Sequence, residues 1–170
     1  MEFLNRRTIR KYMEKEVERV KVHEILRAAL VSPSGKNIKP YEFIVVEDKH
    51  VLKRLAHSKH IGSALIEGAP LAIVVLGNSE LSNTWVEDCS IATTIIQLKA
   101  YDLGLGSCWV QIKERTTSDG TDSEEYVRNL LGVPGYLRVL DIVAIGYPNE
   151  IKPSHSENDM DFSKVHYEKY

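Results

Sequence analysis

The sequence predicts a single domain that mixes helices and strands around one hydrophobic core. Its 170 residues are the length of about one domain, and 43% of them are hydrophobic, which is enough for a sizeable core. Segments with the apolar spacing of an amphipathic helix alternate with short, apolar segments typical of buried strands. No internal repeat or low-complexity linker divides the chain. We therefore expect one domain over residues 1–170.

The first half of the chain alternates helical patterns with two strands. Apolar residues from Val22 to Leu30 follow the spacing of one helix face, and Ser32-Pro33 ends that helix. The remaining elements are a strand over residues 41–47 (YEFIVVE), a helix capped by Asp48 with apolar residues at 52, 55 and 56, a short helix over residues 61–66, and a strand over residues 71–76 (LAIVVL).

Residues 85–103 predict a long helix with apolar side chains nearly all round. Val86, Ile96 and Leu98, for example, lie on different sides of such a helix. A helix that is apolar on every side is buried on every side, which a domain of this size has difficulty achieving alone. We therefore expect one face of this helix to be buried against a second subunit.

The last third of the chain contains a strand, a helix, another strand and an extended end. Gly104 ends the long helix, and the later elements are a strand over residues 107–110, a helix opened by Ser123 with two glutamates after it, and a strand over residues 137–145. Residues 147–170 are polar, contain two prolines and show no helical or strand period. We expect these residues to form an extended arm rather than a second domain.

Charge, hydropathy and cysteine content exclude several classes of function. Lysine and arginine number 22 against 24 acidic residues, so the net charge of −2 argues against a general nucleic-acid-binding protein. The longest apolar run, residues 69–76, is far shorter than the ~20 residues of a membrane-spanning helix. Cys89 and Cys108 do not make a disulfide framework, and no secretory signal is visible. We expect a cytoplasmic protein that binds neither nucleic acid nor membrane.

The first segment with chemical potential is a cluster of arginines near the start of the chain. Arg6, Arg7 and Arg10 place three guanidinium groups within five residues, with the hydroxyl of Thr8 among them. Guanidinium groups and a hydroxyl are suited to binding a phosphate. The alternative from charge alone is a solvated basic surface.

The second such segment is the loop over residues 32–40 (SPSGKNIKP), between a helix and a strand. Pro33 stiffens the loop, Gly35 allows a ligand to approach the backbone, and Asn37 offers both a donor and an acceptor. A loop of this kind suits a flat polar heterocycle, although an ordinary turn is an equal alternative. It is not a phosphate-binding P-loop, because the required earlier glycine is missing.

Three further motifs give weaker indications. Gly104-Leu105-Gly106 lacks the third glycine of a dinucleotide fingerprint and precedes a strand, so it indicates a helix end. Residues 57–60 (HSKH) have a spacing seen in metal sites, but no cysteine or carboxylate joins them, and an exposed helix is the simpler interpretation. Asp88 is expected to cap a helix or to pair with a base rather than to catalyse. Because no segment is self-sufficient for acid–base or nucleophilic catalysis, an enzyme with this sequence is expected to use a cofactor.

Taken in order, these segments resemble the nitroreductase family of FMN-dependent oxidoreductases. Residues 6–12 (RRTIRKY) are similar to its opening Arg-Arg-Ser-x-Arg-x-Phe, and residues 32–43 (SPSGKNIKPYEF) to its Ala-Pro-Ser-x-x-Asn-x-Gln-Pro-Trp-x-Phe. Residues 88–109 resemble its central helix followed by Gly-Leu-Gly-x-x-Trp, and residues 146–148 match its late Gly-Tyr-Pro. Each motif alone is weak, whereas the four motifs in this order are specific.

The resemblance implies an α+β fold with a largely antiparallel central sheet flanked by helices. It implies a homodimer with the long helix at the interface, two FMN molecules bound there, and C-terminal arms that wrap the partner subunit. By position, Arg6 and Thr8 would hold the FMN phosphate, Arg7 would lie beside the ribityl chain, and Arg10 would face the pyrimidine edge of the flavin.

The resemblance also implies roles for residues later in the chain. The loop residues expected to line the flavin ring from the other subunit are Pro33, Ser34, Gly35 and Asn37. The backbone of Val110 and Gln111 would lie near flavin N5, and Lys152, with His155 as the second choice, would replace a late basic phosphate ligand of the family.

The sequence departs from the family at several of these positions. Lys39 and Tyr41 replace the usual glutamine and tryptophan, and Gln111-Ile112 replaces the common Gly-Gly, which predicts a bulkier surface near N5. The chain is also short and lacks most of the lid helices of larger members, so we expect an open and unselective pocket.

The activity implied by the resemblance is hydride transfer from NADH or NADPH to FMN, and then to a nitroaromatic, a quinone or a flavin. Two alternatives remain open. One is a flavin-binding storage or sensor module without efficient turnover, and the other is a dimeric α+β domain that binds a different phosphorylated ligand through the arginine cluster.

Overall fold

A computed structural model of the chain describes residues 3–170, which form an α+β fold. Within these residues, four α-helices and four strands follow one another as α1 (Arg19–Leu30), β1 (Tyr41–Val46), α2 (Lys49–Leu55), β2 (Leu71–Asn78), α3 (Trp85–Asp102), β3 (Gly106–Gln111), α4 (Ser123–Leu131) and β4 (Leu137–Gly146). The predicted fold class is confirmed, with helices on both faces of a sheet whose described pairings are all antiparallel. None of the helices in the described part of the chain is long and apolar enough to cross a membrane.

The strand order β1-β2-β4-β3 leaves β1 and β3 at the two edges of the sheet. Alternate residues of each strand pack against different layers, as the period of two dictates. Ile73 and Val75 of β2 pack with α1 and α3, whereas Val74 packs with α2 and α4 on the other face. The buried sheet therefore separates two apolar layers, and edge strand β3 follows α3 after a short turn.

Most predicted elements form within a few residues of their expected positions. Asp48 caps α2, because its carboxylate accepts the backbone N–H groups of His50 and Val51 at 2.9 Å each. The helix predicted over residues 61–66 is wrong in extent, since only the 3-10 turn Ala64–Ile66 forms. Gly62 there has a φ of +92°, which lies outside the helical region and interrupts the pattern.

The long helix α3 buries one side within its own chain and leaves another side partly uncovered. Cys89 and Ile96 are fully buried against the sheet, whereas Ile91 is 39% exposed and Ile95 and Leu98 are half-buried. Ile91, Ile95 and Leu98 follow the i, i+4, i+7 spacing of one helix face. We call these three residues the α3 strip; they form an apolar surface that residues 3–170 cover only in part.

The C-terminal arm, residues 147–170, begins by pairing with the N-terminal segment and then becomes exposed. The N–H of Met13 donates to the carbonyl of Tyr147, and the N–H of Asn149 donates to the carbonyl of Lys11, both at 2.9 Å. Beyond these pairs, the described arm contains only two short 3-10 turns and leaves Phe162 72% exposed. The predicted extended arm is therefore what the structure shows.

Candidate flavin site

A cavity of about 280 Å³ lies where the end of α3, the start of β3, the N-terminal segment and the arm meet. Three cationic side chains and one carboxylate line it: Arg6, Arg7, Lys152 and Glu150. Backbone from Gly104 to Ser107 and the side chains of Tyr101, Pro148 and Ile151 complete most of its wall. The cavity is therefore lined by more cationic than anionic side chains, together with apolar groups and glycines, a combination that suits an anionic ligand.

The N-terminal segment is held against β3 by a close backbone approach. Thr8 forms a parallel bridge with Ser107, and the N–H of Ile9 donates to the carbonyl of Ser107 at 3.0 Å. A Cβ atom at Gly106 would lie only 2.6 Å from that of Ile9, so this glycine is required for the approach. The Gly104-Leu105-Gly106 sequence thus ends α3, with Gly104 at a φ of +76°, and admits the arginine segment beside the strand.

The four residues of the arginine cluster take different places around this region. Arg6 lines the cavity, and Arg7 lines it while its guanidinium donates to the backbone carbonyl of Pro153 on the arm. Thr8 is half-buried beside Ser107. Arg10 lies one residue beyond Ile9 along the segment, outside the cavity lining, with its backbone N–H bonded to Glu150. The arginine cluster is thus spread along one edge of the sheet instead of converging on one point.

A second contact fixes the end of α3 to the arm. The ammonium of Lys21 on α1 donates to the carbonyl of Leu103 at 2.8 Å and to the hydroxyl of Tyr147 at 2.9 Å. The Tyr147 hydroxyl in turn donates to Glu18, at 2.7 Å to the nearer oxygen. Leu103 and Tyr147 directly precede Gly104 and Pro148, which line the cavity, so this network ties together the two segments that form its wall.

Cys108 on β3 lies close to cations that the sequence did not place near it. Arg10, Lys152 and Lys59 each lower the pKa of this thiol, but burial outweighs them and raises it overall. Burial also raises the pKa of Cys89 to about 12, and its thiol donates to the carbonyl of Leu76 at 3.4 Å. Both cysteines are free, as predicted, and both are protonated thiols at neutral pH.

The loop predicted to line the ring is held by Asp88 at the start of α3. The N–H of Gly35 donates to Oδ1 of Asp88 at 2.7 Å, and the hydroxyls of Ser82 and Thr84 donate to Oδ2 at 3.2 Å each. A Cβ atom at Gly35 would lie 2.7 Å from Oγ1 of Thr84, so the loop packs tightly there. Asp88 was expected to cap or to pair with a base; instead it accepts a loop amide 53 residues away and two hydroxyls, partners that spacing could not predict.

The loop presents its other groups outward. Pro33 and Asn37 are exposed, and Ser34 accepts the N–H of Lys39 through its hydroxyl at 2.8 Å. Asn37 and Lys39 have φ angles of +58° and +54°, an uncommon backbone conformation for residues other than glycine. Such strain is most often retained where a loop has a functional conformation. Tyr41, which replaces the family's tryptophan, is buried and donates to the carbonyl of Ser32 at 2.6 Å.

The backbone N–H groups of Val110 and Gln111 point in opposite directions, and within residues 3–170 only one of them is free to bind a ligand. The N–H of Ile112 donates to the carbonyl of Leu140 at 3.1 Å, so by the alternation of an antiparallel ladder Val110 also faces β4. The backbone N–H of Gln111 then points to the open edge of the sheet. The Gln111 side chain is fixed as well, because its Oε1 accepts from Nε1 of Trp109 at 2.9 Å.

The cavity and the loop lie at opposite ends of α3. The loop contacts Thr84 and Asp88, at the first turn, while the cavity wall includes Tyr101 and Gly104, at the last. An 18-residue helix is roughly 27 Å long at ~1.5 Å per residue. The two halves of the predicted site therefore do not meet within one chain.

The two remaining candidates, His155 and the histidines of residues 57–60, lie on the surface. His155 is exposed, with its imidazole 3.7 Å from a carboxylate oxygen of Asp159, and it does not line the cavity. His57 and His60 are exposed, and no cluster of three potential metal ligands occurs among residues 3–170.

Comparisons with known proteins connect this geometry to a family. The nitroreductase family profile matches residues 4–64 and 56–147. A solved structure titled FMN-dependent nitroreductase, from Clostridium difficile, is 43% identical, with a TM-score of 0.96 over 98% of this chain and 97% of that chain. A protein of Archaeoglobus fulgidus, named provisionally as an NADH dehydrogenase/NAD(P)H nitroreductase, is 35% identical over 97% of this chain and 94% of its own length.

A second archaeal relative agrees with these matches. It comes from Methanothermobacter thermautotrophicus, carries the same provisional name, and is 34% identical over 97% of this chain and 84% of its own length.

Proposed function

Because the chain belongs to the nitroreductase family of oxidoreductases, we propose that it transfers a hydride from NADH or NADPH through FMN to a small acceptor. The acceptors we expect are nitroaromatics, quinones and flavins. The observation that carries the proposal is the cationic cavity beside the open edge of β3, where Arg6, Arg7 and Lys152 lie next to Gln111's strand. FMN, when bound, supplies the ring that accepts and releases the hydride.

The residues around the cavity fit the two ends of FMN. Arg6 and Lys152 line a space suited to a phosphate, and Thr8 adds a half-buried hydroxyl beside it. Guanidinium and ammonium groups bind phosphate through charge-assisted hydrogen bonds. Arg7 lines the same cavity with its guanidinium bonded to the carbonyl of Pro153, and we assign it to the ribityl chain. The donors present therefore match an anionic, hydroxyl-rich ligand.

Two residues are assigned to the ring itself. We assign the Gln111 N–H, on the open edge of β3, as the donor to the N5 side of the ring. The Val110 N–H faces β4 instead, so Val110 donates no hydrogen bond to the ring. The Arg10 guanidinium lies against Cys108 on the same strand, and we assign it to stabilising the negative charge that the ring would gain on reduction. Bulky Ile112 is fully buried, so its side chain does not crowd this edge.

We further propose that the active form is a homodimer with two shared sites. The loop and the cavity lie at opposite ends of α3, and the α3 strip runs between them. Two copies that pack their α3 strips antiparallel about a two-fold axis bring the loop of each chain to the cavity of the other. Pro33, Ser34, Gly35 and Asn37 then line the ring from the partner, which the fixed position of Gly35 on Asp88 supports.

The arm is assigned to the same interface. Phe162, Val165 and Tyr167 are exposed apolar side chains beyond the part of the arm that pairs with its own chain. An open groove of about 500 Å³ on α1, lined by Val20, Val22 and Leu26 among others, offers a matching apolar surface. Packing the arm of one subunit against the other would bury both.

The experiment that tests the proposed function is an absorbance spectrum of the purified protein before and after anaerobic addition of NADH or NADPH. We expect a yellow protein whose flavin absorbance disappears on addition of either donor and returns with a quinone. A yellow protein that neither donor bleaches would instead be a flavin store or sensor. A colourless protein that takes up no FMN would overturn the proposal and leave a different phosphorylated ligand for the arginine cluster.

A further inference from the structure

The carboxylate of Glu150 joins two of the cations assigned to the flavin site. Its Oε1 accepts the backbone N–H of Arg10 at 2.5 Å and that of Lys11 at 3.2 Å. Its Oε2 lies 3.7 Å from the ammonium of Lys152, and both side chains are mostly shielded, at 20% and 24% exposed. One acidic side chain on the arm therefore contacts both the arginine segment and the arm's own lysine.

These contacts extend the pairing between the arm and the N-terminal segment. The backbone ladder consists of Met13 with Tyr147, the bridge of Tyr12 with Pro148, and Lys11 with Asn149. The pairing is interrupted after Asn149, where the Glu150 side chain accepts two N–H groups, and resumes where the N–H of His155 donates to the carbonyl of Leu4 at 2.8 Å. Glu150 thus helps to hold the backbone from which the Arg10 side chain extends towards Cys108.

The position of Glu150 is unexpected, because a carboxylate lines a cavity that we assign to an anion. Glu150 lines a cavity that we assign to a phosphate, and a carboxylate there repels an anion. The N–H groups of Arg10 and Lys11 and the charge of Lys152 lower the pKa of Glu150, so it is ionised at neutral pH. Its contacts point to placement of the neighbouring cations, since it cannot itself attract the phosphate.

We propose that Glu150 is a positioning residue, which orients Arg10 through the backbone and couples docking of the C-terminal arm to occupancy of the flavin site. The proposal rests on the proposed function. Because the arm supplies Glu150 and Lys152, the site is complete only when the start of the arm is docked. By reciprocity, bound FMN must stabilise the docked arm by the same free energy as the docked arm stabilises bound FMN.

The first test measures the flavin midpoint potential of FMN-saturated variants. In Glu150→Ala, Arg10 loses its orientation, so we expect the potential to fall by most of the shift seen in Arg10→Ala. In Glu150→Gln, the amide oxygen still accepts both N–H groups, so we expect a potential close to wild type. Exposed Glu157→Ala on the same arm is the matched control and should change nothing.

A double variant separates action through Arg10 from a direct effect of the carboxylate. If Glu150 acts through Arg10, Glu150→Ala causes no further change in potential in an Arg10→Ala background. A Glu150→Ala protein that keeps the wild-type potential, or a shift that persists unchanged without Arg10, overturns the positioning role. Both outcomes require that the wild-type protein binds FMN. Failure of the proposed function would instead appear as a wild-type protein that binds no FMN.

The coupling to the arm is tested by limited proteolysis with and without FMN. We expect FMN to slow cleavage between residues 151 and 170 in wild type and in Glu150→Gln. In Glu150→Ala, FMN should no longer protect the arm. FMN affinity should weaken roughly tenfold, which corresponds to the loss of one hydrogen bond to a charged group. Equal protection by FMN in Glu150→Ala and wild type would contradict the coupling.

Discussion

The backbone N–H of Gly35 lies 2.7 Å from Oδ1 of Asp88, and this contact joins the loop over residues 32–40 to the first turn of α3. Asp88 is 2% exposed, and its other oxygen is occupied by two hydroxyls. The position of the loop is therefore set by the same helix that carries the α3 strip. A substitution that shifts the start of α3 is therefore expected to shift the loop as well.

Asp88→Ala should release the loop and weaken FMN binding without affecting the arginine cluster. Loss of the contacts to a buried carboxylate is expected to cost about 1–3 kcal/mol of stability. Thermal melting and FMN titration check both effects. Glu87→Ala, at the exposed neighbouring position of α3, is the control, and equal FMN affinity in the two variants would show that the loop is not part of the site.

Arg10 and Arg6 should differ in what their removal changes. A charge beside the ring interacts more strongly with the reduced, anionic flavin, whereas a phosphate contact is the same in both redox states. Arg10→Ala should therefore lower the midpoint potential by an energy on the order of 1.5–3 kcal/mol. Arg6→Ala should mainly weaken FMN affinity.

A redox titration of both variants, each saturated with FMN, distinguishes these roles. If both kept the wild-type potential and differed only in affinity, Arg10 would belong to the phosphate end or lie outside the site.

The α3 strip should control assembly. Ile95→Glu places a charge in the centre of the strip, where burial of an unpaired charge is strongly unfavourable. We expect this variant to be monomeric by sedimentation and to lose FMN, because the proposed site needs residues of both chains. Lys49→Glu, on the other face of the sheet, should remain dimeric. An Ile95→Glu dimer with normal FMN content would place the interface elsewhere.

Asp141 should make the protein less stable as the pH rises. It is fully buried, Thr93 donates to one oxygen at 2.8 Å, and its other oxygen has no hydrogen-bond partner among residues 3–170. Burial raises its pKa well above the usual value near ~3.9. The folded state thus holds a proton that the unfolded state releases above about pH 4, so the stability contribution falls from there up to the folded pKa.

Asp141→Asn removes this proton uptake and should stabilise the fold, with a gain that is larger at pH ~8 than at pH ~5. Urea unfolding at the two pH values measures it. Asp102→Asn, at the exposed end of α3, should show a much smaller difference between the two pH values. A gain for Asp141→Asn that did not depend on pH would indicate a packing effect instead of a titration.

Local signals in the sequence were sufficient for most of the fold. The cap at Asp48, the stop at Ser32-Pro33 and the apolar strand of β2 are all encoded within a few residues, and each element formed where it was predicted. The helix over residues 61–66 was overestimated, because the apolar spacing carried no information about the positive φ of Gly62. Local patterns predict the type of an element better than its length.

The candidate site was predictable only as separate segments. The arginine cluster and the loop were found from residue type, but nothing local indicated that Asp88 holds Gly35 or that Glu150 holds Arg10. Those contacts join residues 53 and 140 positions apart, and they depend on how the sheet brings distant segments together. The same is true of Cys108, whose cationic neighbours come from three separate segments.

The central claim is that each flavin site combines the arginine cluster of one chain with the loop of the other. Mixed dimers of an Arg6→Ala chain and an Asp88→Ala chain test it directly. In a shared arrangement, both changes fall in one site and the second site is built from unchanged halves. If each site lay within one chain, both sites would carry a change.

The measurement is the FMN stoichiometry of the purified mixed dimer at a concentration where wild type is saturated and both parent variants bind weakly. The shared site predicts one FMN per mixed dimer, bound with wild-type affinity and reduced by NADH or NADPH. A mixed dimer that binds FMN no better than its two parents would contradict it.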